Sequence, residues 1–122
     1  MKITFDEKTA SKIKTFADEG AVLVFDFDHT ISEKNVAVDS CAGGISRYRI
    51  VAIDPGTLPD LFDGQIESEF GPLYYKTYGG YFFHETMDTR INTAYNLIEL
   101  HSPAETLSQN LLIVDFRGKE II

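Results

Sequence analysis

The stretch ITFDEKTASKIK, residues 3–14, indicates that the fold begins with an α-helix. Thr4 and Glu7 have the spacing of a capping box, in which the Thr4 hydroxyl accepts a hydrogen bond from the Glu7 amide and the Glu7 carboxylate reaches back to Thr4. Apolar residues then recur at the helical spacing that forms one buried stripe: Ala10, Ile13, Phe16 and Ala17. With Gly20 as a stop signal, the pattern predicts a helix over about residues 5–18.

Beyond the helix, short apolar and aromatic runs separated by turn residues predict strands. These strands are expected over residues 21–27, 47–53, 65–70, 73–75, 81–84, 95–100 and 111–116. Ser102 and Pro103 resemble a helix cap and its first residue, which predicts a short helix reaching Leu107. Because turns rather than helices separate the strands, we expect no parallel βαβ units. The chain should form a single domain over residues 1–122, of α+β class and mainly β, with two packed sheets and the helix covering an edge or face.

Composition limits the kinds of partner. The chain has 122 residues, 43% hydrophobic and 25% charged, as expected of a globular protein. Its net charge of −8 would repel a phosphate backbone, so we expect no nucleic-acid partner. No apolar run approaches the ~18 residues of a membrane span. The polar start of the chain does not resemble a signal peptide, and one cysteine permits no internal disulfide, so we expect a cytoplasmic location.

A second short motif raises an enzymatic alternative. The stretch VLVFDFDHT, residues 22–30, resembles the opening D-x-D-x-T signature of haloacid-dehalogenase-type phosphotransferases. That resemblance implies Asp26 as nucleophile and Asp28 as acid/base, with Mg²⁺ bound by further carboxylates at the ends of later parallel strands. The later sequence shows neither crossover helices nor such carboxylates. We therefore favour a half-buried strand with Val22, Val24 and Asp26 on one face. Its other face is expected to carry Leu23, Phe25 and Phe27.

A different resemblance extends over nearly the whole chain. The opening ITFDEKTASKIK is similar to the I-x-(L/F)-T-x-x-A-x-x-x-(I/L) start of the HesB-like (A-type) iron–sulfur cluster biosynthesis domain. That family continues with a strand, a loop with a cysteine beside glycines, and a strand with an aromatic residue. Here the corresponding segments are residues 21–27, the loop SCAGG at 40–44, and RYRI at 47–50. The resemblance implies a HesB-like two-sheet β-sandwich or half-barrel with an N-terminal helix.

The resemblance also implies iron or an iron–sulfur cluster as cofactor, other assembly proteins as partners, and a subunit pair that can share one metal centre. Cluster-carrying members add a C-terminal C-x-C motif, whereas residues 102–110 contain no cysteine. Cys41 is therefore the only residue to which a metal-ligand role carries over. One thiolate cannot hold a cluster that usually has four ligands, so this chain resembles a divergent branch that lacks the C-x-C motif. A loop cysteine can also serve as a small packing residue.

Other side chains have the chemistry of metal ligands or of recognition contacts. His29 and His84 suit a mixed site with Cys41, since zinc and iron accept imidazole and thiolate together. His101 is expected to be solvated at a strand end. Asp26, Asp28 and Asp39 suit a hard cation, but an acidic surface explains them as well. Four tyrosines form either a recognition patch or an alternating hairpin around Gly79 and Gly80: Tyr74, Tyr75, Tyr78 and Tyr81.

These observations leave three functions. The favoured one is a non-enzymatic protein of iron–sulfur cluster assembly, either an iron or cluster carrier or an accessory factor that has lost cluster binding. The second is a protein-interaction module on the same scaffold without metal. The third is the phosphotransferase that uses Asp26 and Asp28.

Overall fold

The computed structural model describes residues 1–27 and 48–118, without the side chains of Tyr81 and Phe82. Within these ranges one α-helix is combined with nine short strands. In chain order the elements are β1 (Lys2–Thr4), α1 (Glu7–Asp18), β2 (Val22–Asp26), β3 (Arg49–Ile53), β4 (Gly64–Ile66), β5 (Leu73–Tyr75), a 3-10 helix (Thr77–Phe82), β6 (Thr86–Asn92), β7 (Leu97–His101), β8 (Thr106–Ser108) and β9 (Leu112–Asp115). The described part of the chain contains no helix long and apolar enough to cross a bilayer.

The strands form two mixed sheets. One has four strands in the order β1-β6-β7-β8, and the other has five in the order β4-β5-β2-β3-β9. The pairs β1/β6, β2/β5 and β3/β9 are parallel, and the remaining pairs are antiparallel. The helix α1 connects β1 to β2, which belong to different sheets. The parallel pairs thus join strands that are distant in sequence, and no described helix crosses between adjacent parallel strands.

The two sheets meet at β1. Lys2 forms a parallel bridge with Glu67, which directly follows β4. The Ile3 amide donates to the Glu67 carbonyl at 2.9 Å, and the Glu67 amide donates to the Met1 carbonyl at 3.0 Å. β1 therefore links the four-stranded sheet to the edge of the five-stranded one without closing a barrel. This arrangement confirms the predicted α+β, mainly β class with two packed sheets.

The helix is confirmed, but its predicted cap is wrong. Thr4 lies in β1 opposite Asp88, so its backbone is committed to strand pairing. The N-cap is Asp6, whose carboxylate accepts from the Thr9 amide at 3.0 Å and from the Thr89 hydroxyl at 2.6 Å. Burial opposes the charged form, but these hydrogen bonds outweigh it and hold the pKa of Asp6 below its ordinary value. Thr89 thus connects the start of α1 to β6.

The alternating pattern of β2 separates two apolar clusters. Leu23, Phe25 and Phe27 belong to the larger cluster, which contains residues of both sheets and of α1. Val24 belongs to a smaller cluster on the opposite face of the five-stranded sheet, with Val51, Ile53 and Phe62. The predicted alternation of β2 is confirmed. Both of its faces are covered, because four of its five residues are buried.

Several strand predictions need correction. The strand expected over residues 65–70 ends at Ile66, since Ser68 donates to the Gly71 carbonyl at 2.6 Å and closes a turn. The strand expected over 81–84 is replaced by the 3-10 helix. The strand expected over 95–100 begins at Leu97, because Asn96 has φ 54° and lies in the turn after β6. β1 and β6 were not predicted at all.

The short helix expected from Ser102 to Leu107 is also wrong. The Ser102 hydroxyl accepts from the amides of Ala104 and Glu105, both at 3.2 Å. The Ser102 amide donates back to the Glu105 carbonyl at 2.8 Å, so the cap-like residues close one tight turn instead of starting a helix. The chain then continues as β8, in which Thr106 pairs with His101 of β7.

Candidate functional site

The predicted metal ligand Cys41 lies in the connection between β2 and β3, outside the described residues. Three other residues considered as ligands or catalytic groups also lie outside them: Asp28, His29 and Asp39. β2 and β3 are antiparallel neighbours, with Asp26 opposite Arg49. The connection therefore leaves and rejoins the five-stranded sheet at neighbouring positions.

At this point the structure places a buried ion pair. Nη2 of Arg49 lies 3.2 Å from Oδ2 of Asp26, and the Asp26 side chain has no exposed surface. The Arg49 guanidinium also lies 5.4 Å from the centre of the Phe116 ring. The expectation that Asp26 belongs to a solvated acidic surface is therefore wrong. A carboxylate without exposed surface does not present a nucleophile to a phosphate ester, so this geometry fits a structural role.

The side chain of Lys76 is a second buried cation. Lys76 is 1% exposed and directly follows β5. Its ammonium lies 4.9 Å from the ring centre of Phe27, 5.2 Å from that of Tyr78 and 5.7 Å from that of Phe62. Cations over aromatic faces gain most when they are shielded from water. These three rings form an aromatic cage around Lys76.

These three charged residues lie in or directly after three neighbouring strands, β5, β2 and β3. β5 runs parallel to β2, with Tyr74 opposite Val24. On the other side of β2, Asp26 is opposite Arg49 of β3. We call Lys76, Asp26 and Arg49 the charged row. Asp26 and Arg49 of this set flank the connection that bears Cys41, at the end of β2 and the start of β3.

Neither cation was singled out from the sequence. Arg49 was assigned to a strand without a role, and Lys76 follows a pair of tyrosines with no distinguishing spacing. One signal was available for Arg49, which is a charged residue within the otherwise apolar stretch RIVAI at 49–53. A buried position there requires an acidic partner, and Asp26 ends the preceding strand.

Each of the two histidines that the structure describes lies close to a glutamate carboxylate. Nε2 of His84 lies 3.3 Å from Oε1 of Glu105. His101 is mostly buried, with Nε2 2.7 Å from Oε1 of Glu99 and Nδ1 3.2 Å from the Thr106 hydroxyl, so its expected solvation is wrong. The hydrogen bond with His101 holds the pKa of Glu99 below its ordinary value. Within residues 1–27 and 48–118 no three metal-ligating side chains lie together.

The tyrosines do not form one exposed patch. Tyr75 is buried in the larger cluster, and Tyr74 packs against the smaller one. Tyr78 is 65% exposed and forms one wall of the aromatic cage. The predicted hairpin around the two glycines is wrong, because this stretch forms the 3-10 helix.

The chain is similar to proteins of iron–sulfur cluster biosynthesis in sequence and in topology. The model of the family described as "Iron-sulphur cluster biosynthesis" matches residues 1–115. The chain therefore belongs to the iron–sulphur cluster biosynthesis family, which confirms the HesB-like resemblance. No curated protein sequence shows a significant match.

Two crystal structures are similar to this fold. An Fe-S biosynthesis protein from Lactobacillus salivarius, described as having a novel fold, is 29% identical with a TM-score of 0.75. The alignment covers 97% of this chain and 100% of that one. An Fe-S biosynthesis protein from Lactobacillus acidophilus is 15% identical with a TM-score of 0.65, over 94% of this chain and 90% of that one. At that identity the second likeness supports the fold alone.

Proposed function

We propose that this protein is a non-enzymatic component of iron–sulfur cluster assembly in the cytoplasm, and that Cys41 supplies its metal-binding thiolate. The observation that carries the proposal is the match of the family model to residues 1–115. Iron or a cluster is cargo in this function, received from one protein and passed to another. The proposed partners are therefore other proteins of cluster assembly.

The number of cysteines determines how such cargo is held. Iron in clusters is ligated mostly by cysteine thiolates, usually four per cluster, and this chain has one. Cys41 alone leaves most positions on the metal open. We infer that further copies of the chain or a client protein supply the remaining ligands, so that the metal is shared at an interface.

Anaerobic reconstitution with iron and sulfide tests the proposal. Wild-type protein is expected to retain iron after desalting, measured by elemental analysis and by visible absorbance. Cys41→Ser should lose this iron, because a hydroxyl is a far weaker ligand for iron than a thiolate. Ser40→Ala is the matched control, since it alters the same loop and keeps the thiol.

Two results decide against metal carriage. Wild-type protein that stays free of iron under these conditions would remove the carrier function. Iron that Cys41→Ser retains in full would remove the role of this thiolate. In the first case, binding of the metal-free chain to an assembly protein would favour the interaction module.

A further inference from the structure

A groove of about 230 Å³, whose lining lies within the described residues, separates α1 from β9. Lys8 and Lys12 of α1 form one side of it, and the start of β7 and the start of β9 form the others. We propose that this groove is a docking site for an extended, acidic segment of a partner protein. The inference goes beyond cluster carriage and does not depend on whether Cys41 binds metal.

The helix α1 lies alongside β9. Near the start of both elements, Lys12 and Ile113 line the same groove. Just past the end of β9, the Arg117 guanidinium lies 5.0 Å from the centre of the Phe16 ring. The helix and the strand therefore run side by side in the same direction, and the groove lies between their first residues.

The edge of β9 presents backbone groups to this groove. Among the described strands β9 pairs with β3 alone, and the amides of Leu112 and Phe116 donate to the β3 side, to the carbonyls of Tyr48 and Ala52 at 3.4 and 2.8 Å. Backbone groups of successive strand residues point to opposite sides, so Ile113 directs its amide and carbonyl away from β3. Such an edge can accept an extended peptide as an additional strand.

The floor of the groove is apolar. Ile91, Ile98 and Ile113 line it, and all three are half-buried. The Leu111 amide donates to the Ile98 carbonyl at 2.8 Å, so β7 occupies the edge up to Leu111 and leaves it open at Ile113. The volume lies below the about 300–1,000 Å³ of ordinary small-molecule sites, and therefore suits the side chains of a docked segment better than a whole ligand.

Two ammonium groups set the charge of the partner. The chain has 19 acidic and 11 basic residues, yet no described carboxylate forms an ion pair with Lys8 or Lys12. Lys8 instead donates to the side-chain oxygen of Asn96 at 2.8 Å, whereas Lys14 of the same helix pairs with Asp18 at 2.7 Å. An acidic segment supplies the carboxylates that the two lysines lack. Two copies of this chain joined symmetrically along β9 would bring like charges together.

The spacing of the lysines specifies the segment further. Residues four apart on a helix have Cβ atoms about 5–6 Å apart, and alternate residues of an extended chain lie about 6.5–7 Å apart on one face. Two glutamates at alternate positions therefore match Lys8 and Lys12, with their methylene groups over the apolar floor. The intervening residues are expected to be apolar, because their side chains lie on the other sheet face, where Val114 belongs to the smaller apolar cluster.

Two short capped peptides test the docking site by heteronuclear NMR titration. One peptide alternates valine and glutamate, and the other has glutamine in place of each glutamate. The glutamate peptide is expected to shift the amide signals of Lys12 and Ile113, and to slow hydrogen exchange of the Ile113 amide, which gains an acceptor. The glutamine peptide should bind at least about threefold more weakly, the effect expected of two exposed ion pairs. Added salt should weaken binding of the glutamate peptide alone.

Lys8→Gln/Lys12→Gln should lower the affinity for the glutamate peptide to that for the glutamine peptide. Lys14→Gln is the matched control, because Lys14 belongs to the same helix, is 63% exposed and lies outside the groove. It should bind the glutamate peptide as wild type does.

Failure of the glutamate peptide to bind, equal binding of the two peptides, or unchanged affinity in the double variant would overturn the acidic partner. Binding without a change at Ile113 would overturn docking at the β9 edge. Shifts of the groove signals that grow with protein concentration in the absence of peptide would show that a second copy occupies the groove, and would overturn the proposal as well. Iron plays no part in these measurements, so the docking site and the proposed function fail separately.

Discussion

Oδ2 of Asp26 and Nη2 of Arg49 lie 3.2 Å apart, within a sheet that buries both side chains. The first of these residues belongs to a D-x-D motif that in another fold would provide a nucleophile. Here its carboxylate is used to pair two strands at the base of the connection bearing Cys41. The same sequence letters thus acquire a structural role from the register of β2 and β3.

Breaking this pair from one side should be costly. Arg49→Met removes the guanidinium that pairs with the buried Asp26 carboxylate, and breaking a buried ion pair from one side typically lowers the free energy of unfolding by about 3–5 kcal/mol. Asp26→Leu/Arg49→Met removes both charges and should recover most of that loss. Urea denaturation followed by circular dichroism measures both changes.

The matched control is the exposed pair Lys14–Asp18, whose side chains are 63% and 64% exposed. Lys14→Met should change the free energy of unfolding by less than about 1 kcal/mol. An Arg49→Met variant as stable as this control would contradict the structural role of the ion pair.

Phe83 should be among the most sensitive positions in the core. Its ring makes edge-to-face contacts with Phe25, Tyr48 and Tyr75, at 5.0, 5.7 and 5.4 Å. Phe83→Ala should lower the free energy of unfolding by about 3–5 kcal/mol, because the lost apolar surface is joined by an unfilled cavity. Tyr95→Ala is the control, since Tyr95 is 75% exposed, and thermal unfolding should show little change there.

The cap of α1 should make stability depend on acid pH. The pKa of Asp6 is lowered from 3.8 in the folded protein by hydrogen bonds that outweigh the effect of burial. A group whose folded pKa is depressed stabilises the fold above its unfolded pKa, and this contribution is lost as the pH falls through the folded pKa. Unfolding free energy should therefore decline below about pH 4, the ordinary range of an aspartate.

Asp6→Asn removes the negative charge but keeps a side chain that can cap the helix. Asparagine still caps a helix, so at neutral pH the variant should lose no more than about 1 kcal/mol, whereas Asp6→Ala should lose about 0.5–2 kcal/mol. The decline below pH 4 should be shallower in Asp6→Asn than in wild type. The free energy of unfolding is measured by chemical denaturation at each pH. If it falls equally steeply with pH in Asp6→Asn and in wild type, Asp6 does not cause the pH dependence.

The sequence was informative where local patterns and burial agree. The stripe through Ile13 and the alternation of β2 predicted α1 and the two faces of the central sheet, because apolar side chains alone set those patterns. Polar residues that make tertiary contacts led to wrong predictions of local structure. Thr4 has the local sequence pattern of a helix cap, but its backbone pairs with β6. No local pattern indicates that pairing, because β6 lies more than 80 residues away in the sequence.

The same reason explains the elements that were missed. β6 has the sequence TMDTRIN, in which a buried threonine takes an inward position, so apolar alternation is weak. The candidate site was also predicted only in part from the sequence. The family could be predicted by resemblance, whereas the ion pair depends on the antiparallel pairing that sets Asp26 opposite Arg49 across a long connection.

If Cys41 is the metal ligand, the amount of protein per metal centre follows from the count of thiolates. A centre ligated mostly by cysteine needs more than the one that each chain provides. Reconstituted wild-type protein should therefore carry one centre per two or more chains, or per complex with a client protein that supplies the other ligands. Native mass spectrometry with iron and sulfide analysis measures this ratio, and Cys41→Ser should abolish metal-dependent association. A stable centre on a monomeric chain would contradict shared ligation, because residues other than cysteine would then have to complete it.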